Sequence, residues 1–259
     1  MQAIVAMLRD EFYKKNKIIV VAHPDDEAIA CGNLILKTLE QGFSICVIRV
    51  TKGAPYYLNN KERELVVNIR ENEASKFDNL FYSYSYHSVN LSFIDQYLSS
   101  NVSLLYHSLK NIVVKNVITN SIIISHHLEF GHPDHDLLYF IVRKISKDLR
   151  FNMYSFPMYG TYNGRFYYEY SYENLNDVVF KLNNIDVYQK SQLLNIFKSQ
   201  KRIIERINTS KEVFIPVEKL TGVCFDLPYP KKYLVSENIP ITPIKLLNIW
   251  MSWERENGN

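Results

Sequence analysis

Two short stretches hold most of the residues able to do chemistry. AHPDDE places His23, Asp25, Asp26 and Glu27 directly behind the apolar run IIVVA, and HHLEFGHPDHD places His126, His127, Glu129, His132, Asp134 and His135 behind SIIIS. Four of the seven histidines thus fall in one cluster. Two histidines and a carboxylate on zinc, with a fourth position left to water, form a recurrent hydrolytic centre, because the cation draws the pKa of that water toward neutrality. Such a centre needs side chains that converge. Residues three apart at a turn entering a helix project together, which makes His23 and Asp26 candidate ligands and leaves Asp25 free. His132 and His135 repeat that spacing, and Pro133 suits a first helical position. Read singly, either stretch is an ordinary polar loop; two of them, each behind a buried strand, favour a metal site.

The elements that must position these residues are legible from periodicity. IIVVA reads as a strand buried on both faces and ending at His23. EAIACGNLILKTLEQG carries Ile29, Leu34, Ile35 and Leu39 at helical spacing and closes on Gly42. A strand at 44–51, a helix at 61–80, a strand within FYSYSYHSVNLS, a helix VSLLYHSLKNIVVKN, the strand SIIIS and a helix after HPDH continue the alternation, preceded by a first helix at 1–14. This predicts an α/β, Rossmann-like fold, mainly parallel, with helices on both faces. Ligands gather at the carboxyl ends of the strands in such sheets, where both polar clusters fall. Beyond Pro157 we expect an aromatic hairpin, a helix around 186–206 and an irregular, proline-containing tail from Glu212. The expected organisation is one domain over 1–259, with a core at about 15–157 and a C-terminal appendage at about 158–259.

Composition narrows the partners. Thirty basic against 27 acidic residues, a net charge of +3, form no basic block, which argues against nucleic acid and for a small molecule. No apolar run is long enough for a membrane span, and no secretory signal is expected. Three scattered cysteines, Cys31, Cys46 and Cys224, fit reduced thiols in the cytoplasm. Monomer and oligomer are both compatible with this sequence.

AHPDDE behind one strand and GHPDH behind another resemble the zinc-dependent N-deacetylases of the LmbE-like or PIG-L family, which includes the glucosaminyl-phosphatidylinositol, mycothiol-pathway and bacillithiol-pathway deacetylases. IRENEA, residues 69–74, is similar to the family's Arg-x-x-Glu helix. Asp95 falls where members often carry an aspartate, and KSQLLNIFKSQ, residues 190–200, is similar to the family's Lys-to-Ser-Gln helix. The resemblance spans most of the first 200 residues. It implies His23, Asp26 and His135 as ligands of one zinc, with iron able to occupy the same ligands. It further implies Asp25 as general base, and His132 as the group that stabilises the oxyanion or protonates the leaving amine, oriented by Asp134. Arg70 and Asp95 would contact sugar hydroxyls of an N-acetylated amino-sugar. One departure matters: some members carry a tyrosine at the place of Phe130, which has no hydroxyl to donate.

Structural readings compete for several of these residues. His126 and His127 would satisfy hydrogen bonds at a strand end, Glu27 would favour the helix dipole, Arg70 would pair with Glu73 or a neighbour, and Asp95 would cap a helix. Tyr159 and Tyr162 fit a hairpin core better than a sugar floor. The rival function is a metal-free Rossmann-like module binding nucleotide or carbohydrate. Against it, no glycine-rich phosphate loop follows the first strand, and the chain has only 8 glycines.

Overall fold

The computed structural model describes residues 11–158, 160–162, 165–167, 178–206, 210–217, 233 and 241–257. Strands β1 (Asn16–Val21), β2 (Ile45–Pro55), β3 (Tyr86–Asp95), β4 (Ser121–His126) and β5 (Met153–Phe156) alternate with helices α1 (Asp26–Glu40), α2 (Asn60–Asn79), α3 (Val102–Asn116) and α4 (Pro133–Leu149). The sheet order is β3-β2-β1-β4-β5, all parallel. Helices cover both faces because β1 alternates apolar residues: Ile18 and Val20 join the core under α3 and α4, and Ile19 and Val21 join the core under α1. Strand order reverses between β1 and β4. That reversal opens a crevice at their carboxyl ends, and both polar loops leave the sheet there.

The C-terminal third departs from the expected irregular tail. Beside the β6 (Gly160–Tyr162) and β7 (Arg165–Tyr167) hairpin, strands β8 (Val178–Lys181) and β9 (Lys211–Pro216) extend the sheet antiparallel beyond β5, giving seven strands among the described residues. The helix expected at 186–206 is broken into α5 (Asn184–Leu194), a 3-10 turn at Lys198–Gln200 and α6 (Lys201–Ile204). The break has a cause: Phe197 turns inward to pack on Phe77, with ring centroids 5.6 Å apart. Just beyond it, Glu73 accepts hydrogen bonds from the main-chain N–H and hydroxyl of Ser199 at 2.8 and 2.6 Å. Pro243–Asn257 forms α7 rather than irregular chain, with Thr242 capping it and Pro243 as its first residue. Its buried face, Leu246, Leu247, Trp250 and Trp253, stacks Trp250 on Phe140 at 5.6 Å, a contact that adds about 0.5–1.5 kcal/mol to simple burial.

The first helix expected at 1–14 is described only from residue 11, and Tyr159, Cys224 and most of 218–240 lie outside the described residues. Cys31 and Cys46 are free, buried thiols. No described helix is long and apolar enough to cross a membrane.

Candidate metal centre and active site

His23 is the second residue past β1, and Asp26 opens α1. The turn between them is closed by the Asp26 carboxylate itself, which accepts the main-chain N–H of His23 at 2.8 Å. On the other loop, His132 caps α4, its Nδ1 accepting the N–H of Asp134 at 3.2 Å, and Pro133 follows as first helical residue. This turns His135, one turn further in, toward β1. His23 Nδ1, Asp26 Oδ2 and His135 Nε2 then form a triangle with edges of 3.3, 3.3 and 3.6 Å. Four-coordinate zinc with nitrogen and oxygen ligands at about 2.0–2.1 Å separates its ligand atoms by about 3.3–3.4 Å. The triangle fits that ion. Further overlapping sets lie alongside, namely His23 with His132 and His135, Asp26 with His126 and His135, and His23 with Asp95, His132 and Asp134.

Burial and neighbouring charges pull the groups of the cluster in opposite directions. Burial opposes ionisation of His23, yet Asp95 and Asp26 hold its pKa well above the ordinary imidazole value. Asp26 is likewise opposed by burial and still held well below the usual carboxylate range by His135 and His23. Burial pushes His132 down to about 4, with the charge of His23 adding to the effect. His126 accepts the N–H of Ala22 at Nε2, 3.0 Å away, and stacks on His135 with centroids 3.8 Å apart. It belongs to the cluster. His127 turns away from it, to the Ser155 hydroxyl at 2.9 Å. Glu129 accepts the N–H of Met158 at 2.9 Å and lies 3.7 Å from His135 Nδ1.

Asp25 stands apart from the triangle in an unusual backbone conformation, with φ at 130°. Non-glycine residues hold such a φ only where surrounding contacts enforce it. Here the enforcers are Arg70, which donates to Asp25 Oδ1 at 2.6 Å and to Pro24 O at 2.7 Å, and Glu27, which accepts the N–H of Asp25 at 3.2 Å. Burial raises the Asp25 carboxyl to about 7 in spite of Arg70. Arg70, read from sequence as a sugar contact or an ion-paired helix residue, is paired with Asp25. Asp95, at the end of β3, faces His23 Nε2 at 3.1 Å and His132 Nε2 at 3.7 Å instead of capping a helix. The carboxylate of Asp134 accepts the N–H of Gln96 at 2.6 Å, so its link to His132 runs through its own main-chain N–H.

Sequence reasoning missed two residues. Glu27, read as a dipole partner, is fully buried, and its Oε1 lies 2.6 Å from both Nε and Nη2 of Arg49. The missed signal was Arg49 itself, a cation inside the apolar strand ICVIRV, since a buried charge must be paired. Gly53 is the second: its φ is +65°, and a Cβ there would lie 2.6 Å from the Cζ and Nε of Arg70. Gly53→Ala is therefore expected to displace the guanidinium from Asp25 and to cost about 1–3 kcal/mol of stability, read from the urea midpoint.

A family model described as PIG-L, GlcNAc-PI de-N-acetylase, matches residues 18–146, which include both loops. The chain belongs to the PIG-L family. It is accordingly an N-deacetylase, a hydrolase of amide bonds. No curated protein matches the sequence. Several solved structures share the fold. The deacetylase–teicoplanin complex of the teicoplanin biosynthesis pathway superposes with a TM-score of 0.60 at 11% identity, covering 78% of this chain and 98% of that one. The zinc-inhibited form of teicoplanin deacetylase gives 0.55 at 10%, covering 79% and 100%. The N,N′-diacetylchitobiose deacetylase of Pyrococcus horikoshii, complexed with its inhibitor, gives 0.54 at 16%, covering 81% and 88%. At these identities the likeness establishes the shared α/β fold of this PIG-L chain.

Proposed function

We propose that this chain, acting as a single deacetylase domain in the cytoplasm, removes the acetyl group from an N-acetylglucosamine-type sugar conjugate, releasing acetate and the free amine. The observation that carries the reading is the triangle of His23 Nδ1, Asp26 Oδ2 and His135 Nε2, with the buried carboxyl of Asp25 next in sequence. These three residues would hold one zinc, and Fe2+ suits the same donors. When bound, the cation supplies an activated water and a Lewis acid for the acetamide carbonyl.

The chain's own residues do the rest. Asp95 accepts the Nε2 proton of His23, which fixes the tautomer that leaves Nδ1 as a ligand. Asp25 takes the proton of the attacking water, and its raised pKa suits a base working near neutrality. Arg70 holds that carboxylate in place. His132 accepts at Nδ1 from Asp134, so its proton lies on Nε2, the atom assigned to the oxyanion and then to the departing amine. Asp134 positions His132 through the cap of α4. With Phe130 lacking a hydroxyl, stabilisation of the oxyanion rests on His132 and the cation. Sugar contacts by Arg70 and Asp95 remain part of the reading, alongside the hydrogen bonds these two residues already make.

The test is a mass-spectrometric screen of N-acetylated sugars against zinc-loaded protein, scored for loss of one acetyl group. The expected result is deacetylation that disappears with a chelator and returns with zinc. A protein that stays metal-free and binds nucleotide instead would replace this reading with the binding-module alternative.

A further inference from the structure

We propose that Tyr56, Tyr57 and Tyr97 form an aromatic subsite at the mouth of the centre that receives a second, uncharged pyranose ring of the substrate. The inference rests on the amino-sugar deacetylase reading and names what is attached to the acetylated sugar. Pro55 ends β2 and Asp95 ends β3, the two are register partners, and the N–H of Tyr56 donates to Asp95 O at 3.2 Å. Both loops therefore leave the sheet together, on the side where Asp95 meets His23 and where the N–H of Gln96 meets Asp134. Tyr97 is two residues from Asp95.

The rings are arranged as a platform. Those of Tyr56 and Tyr97 lie 26° from parallel with centroids 6.3 Å apart, and Tyr57 stands edge-on to Tyr56 at 5.9 Å. Tyr57 and Tyr97 are 52% and 43% exposed, so both side chains reach solvent on the loops that follow Pro55 and Asp95. The platform is held in advance. Arg63 donates to the carbonyls of Tyr56 and Leu58 at 2.6 and 2.9 Å, and the Asn59–Glu62 capping box fixes the helix that follows. Flat aromatic faces rimmed by hydroxyls complement a pyranose, which presents an apolar C–H face and a polar edge. An anionic group is a poorer fit, because three cations bordering the loop are already engaged: Arg63 with those carbonyls, Lys52 with Glu71 and Arg70 with Asp25.

The test compares N-acetylglucosamine with N,N′-diacetylchitobiose on zinc-loaded protein, and follows binding of the disaccharide to metal-free protein by saturation-transfer NMR. Tyr57→Ala and Tyr97→Ala are expected to lower the disaccharide-to-monosaccharide ratio of kcat/KM about tenfold, mainly through KM. Both should weaken the NMR signal, and the Phe variants should retain it. Tyr82→Ala, at the opposite end of β3 and 86% exposed, serves as the control that changes neither. Deacetylation with an unaltered ratio in the Ala variants overturns the subsite. Tyrosine-dependent binding without deacetylation keeps the subsite and overturns the deacetylase reading on these sugars. Absence of disaccharide binding overturns the subsite whatever the turnover.

Discussion

Asp25→Asn is expected to lower kcat by about three orders of magnitude, the middle of the range for loss of a positioned general base, while zinc content is unchanged. Asparagine keeps an oxygen for Arg70, so the guanidinium retains its acceptor and the loop its geometry. What is lost is the capacity to take a proton. Asp26→Asn makes the contrast. Asp26 Oδ2 is a corner of the triangle and also the acceptor that closes the His23 turn, so that variant should lose zinc and activity together. Metal analysis beside steady-state kinetics separates the two cases. If Asp25→Asn turns over normally, Asp25 is not the base; if it loses zinc, Asp25 is a ligand and the triangle is misassigned.

The two loops are legible in the sequence because each follows a short β-branched run typical of a buried strand, and because HPDD and HPDH place residues three apart at a helix start. The bounds of β1, α3 and β4 follow the sequence reading within a residue or two for the same reason, local periodicity, and α4 starts three residues earlier than the apolar pattern after HPDH, at Pro133. What sequence could not give is pairing across distance. Arg70 meets Asp25 over 45 residues and Ser199 meets Glu73 over 126, and neither partner's local pattern names the other. The break at 195–197 follows from another distant contact, that of Phe197 with Phe77. Helix α7 is a different case. Leu246, Leu247, Trp250 and Trp253 follow helical spacing behind a proline at the first position, and the prolines around that segment obscured a signal that was present.

Arg49→Met should destabilise the fold by about 3–5 kcal/mol, because it strands a buried carboxylate rather than merely deleting a contact. Glu27 is fully buried, and burial already raises its pKa even with Arg49 beside it. Asp78 would suffer less, since Tyr86 and Ser88 also donate to it at 2.6 and 2.7 Å. The double variant Arg49→Met, Glu27→Leu removes both charges, and the urea midpoint should recover part of the loss. Turnover should not recover with it, because Glu27 also accepts the N–H of Asp25 and helps enforce the φ that aims the proposed base. A double variant as unstable as Arg49→Met alone would show that the stranded charge was not the cost. One that folds and turns over at the wild-type rate would show that Glu27 is structural only, and that Arg70 suffices to position Asp25.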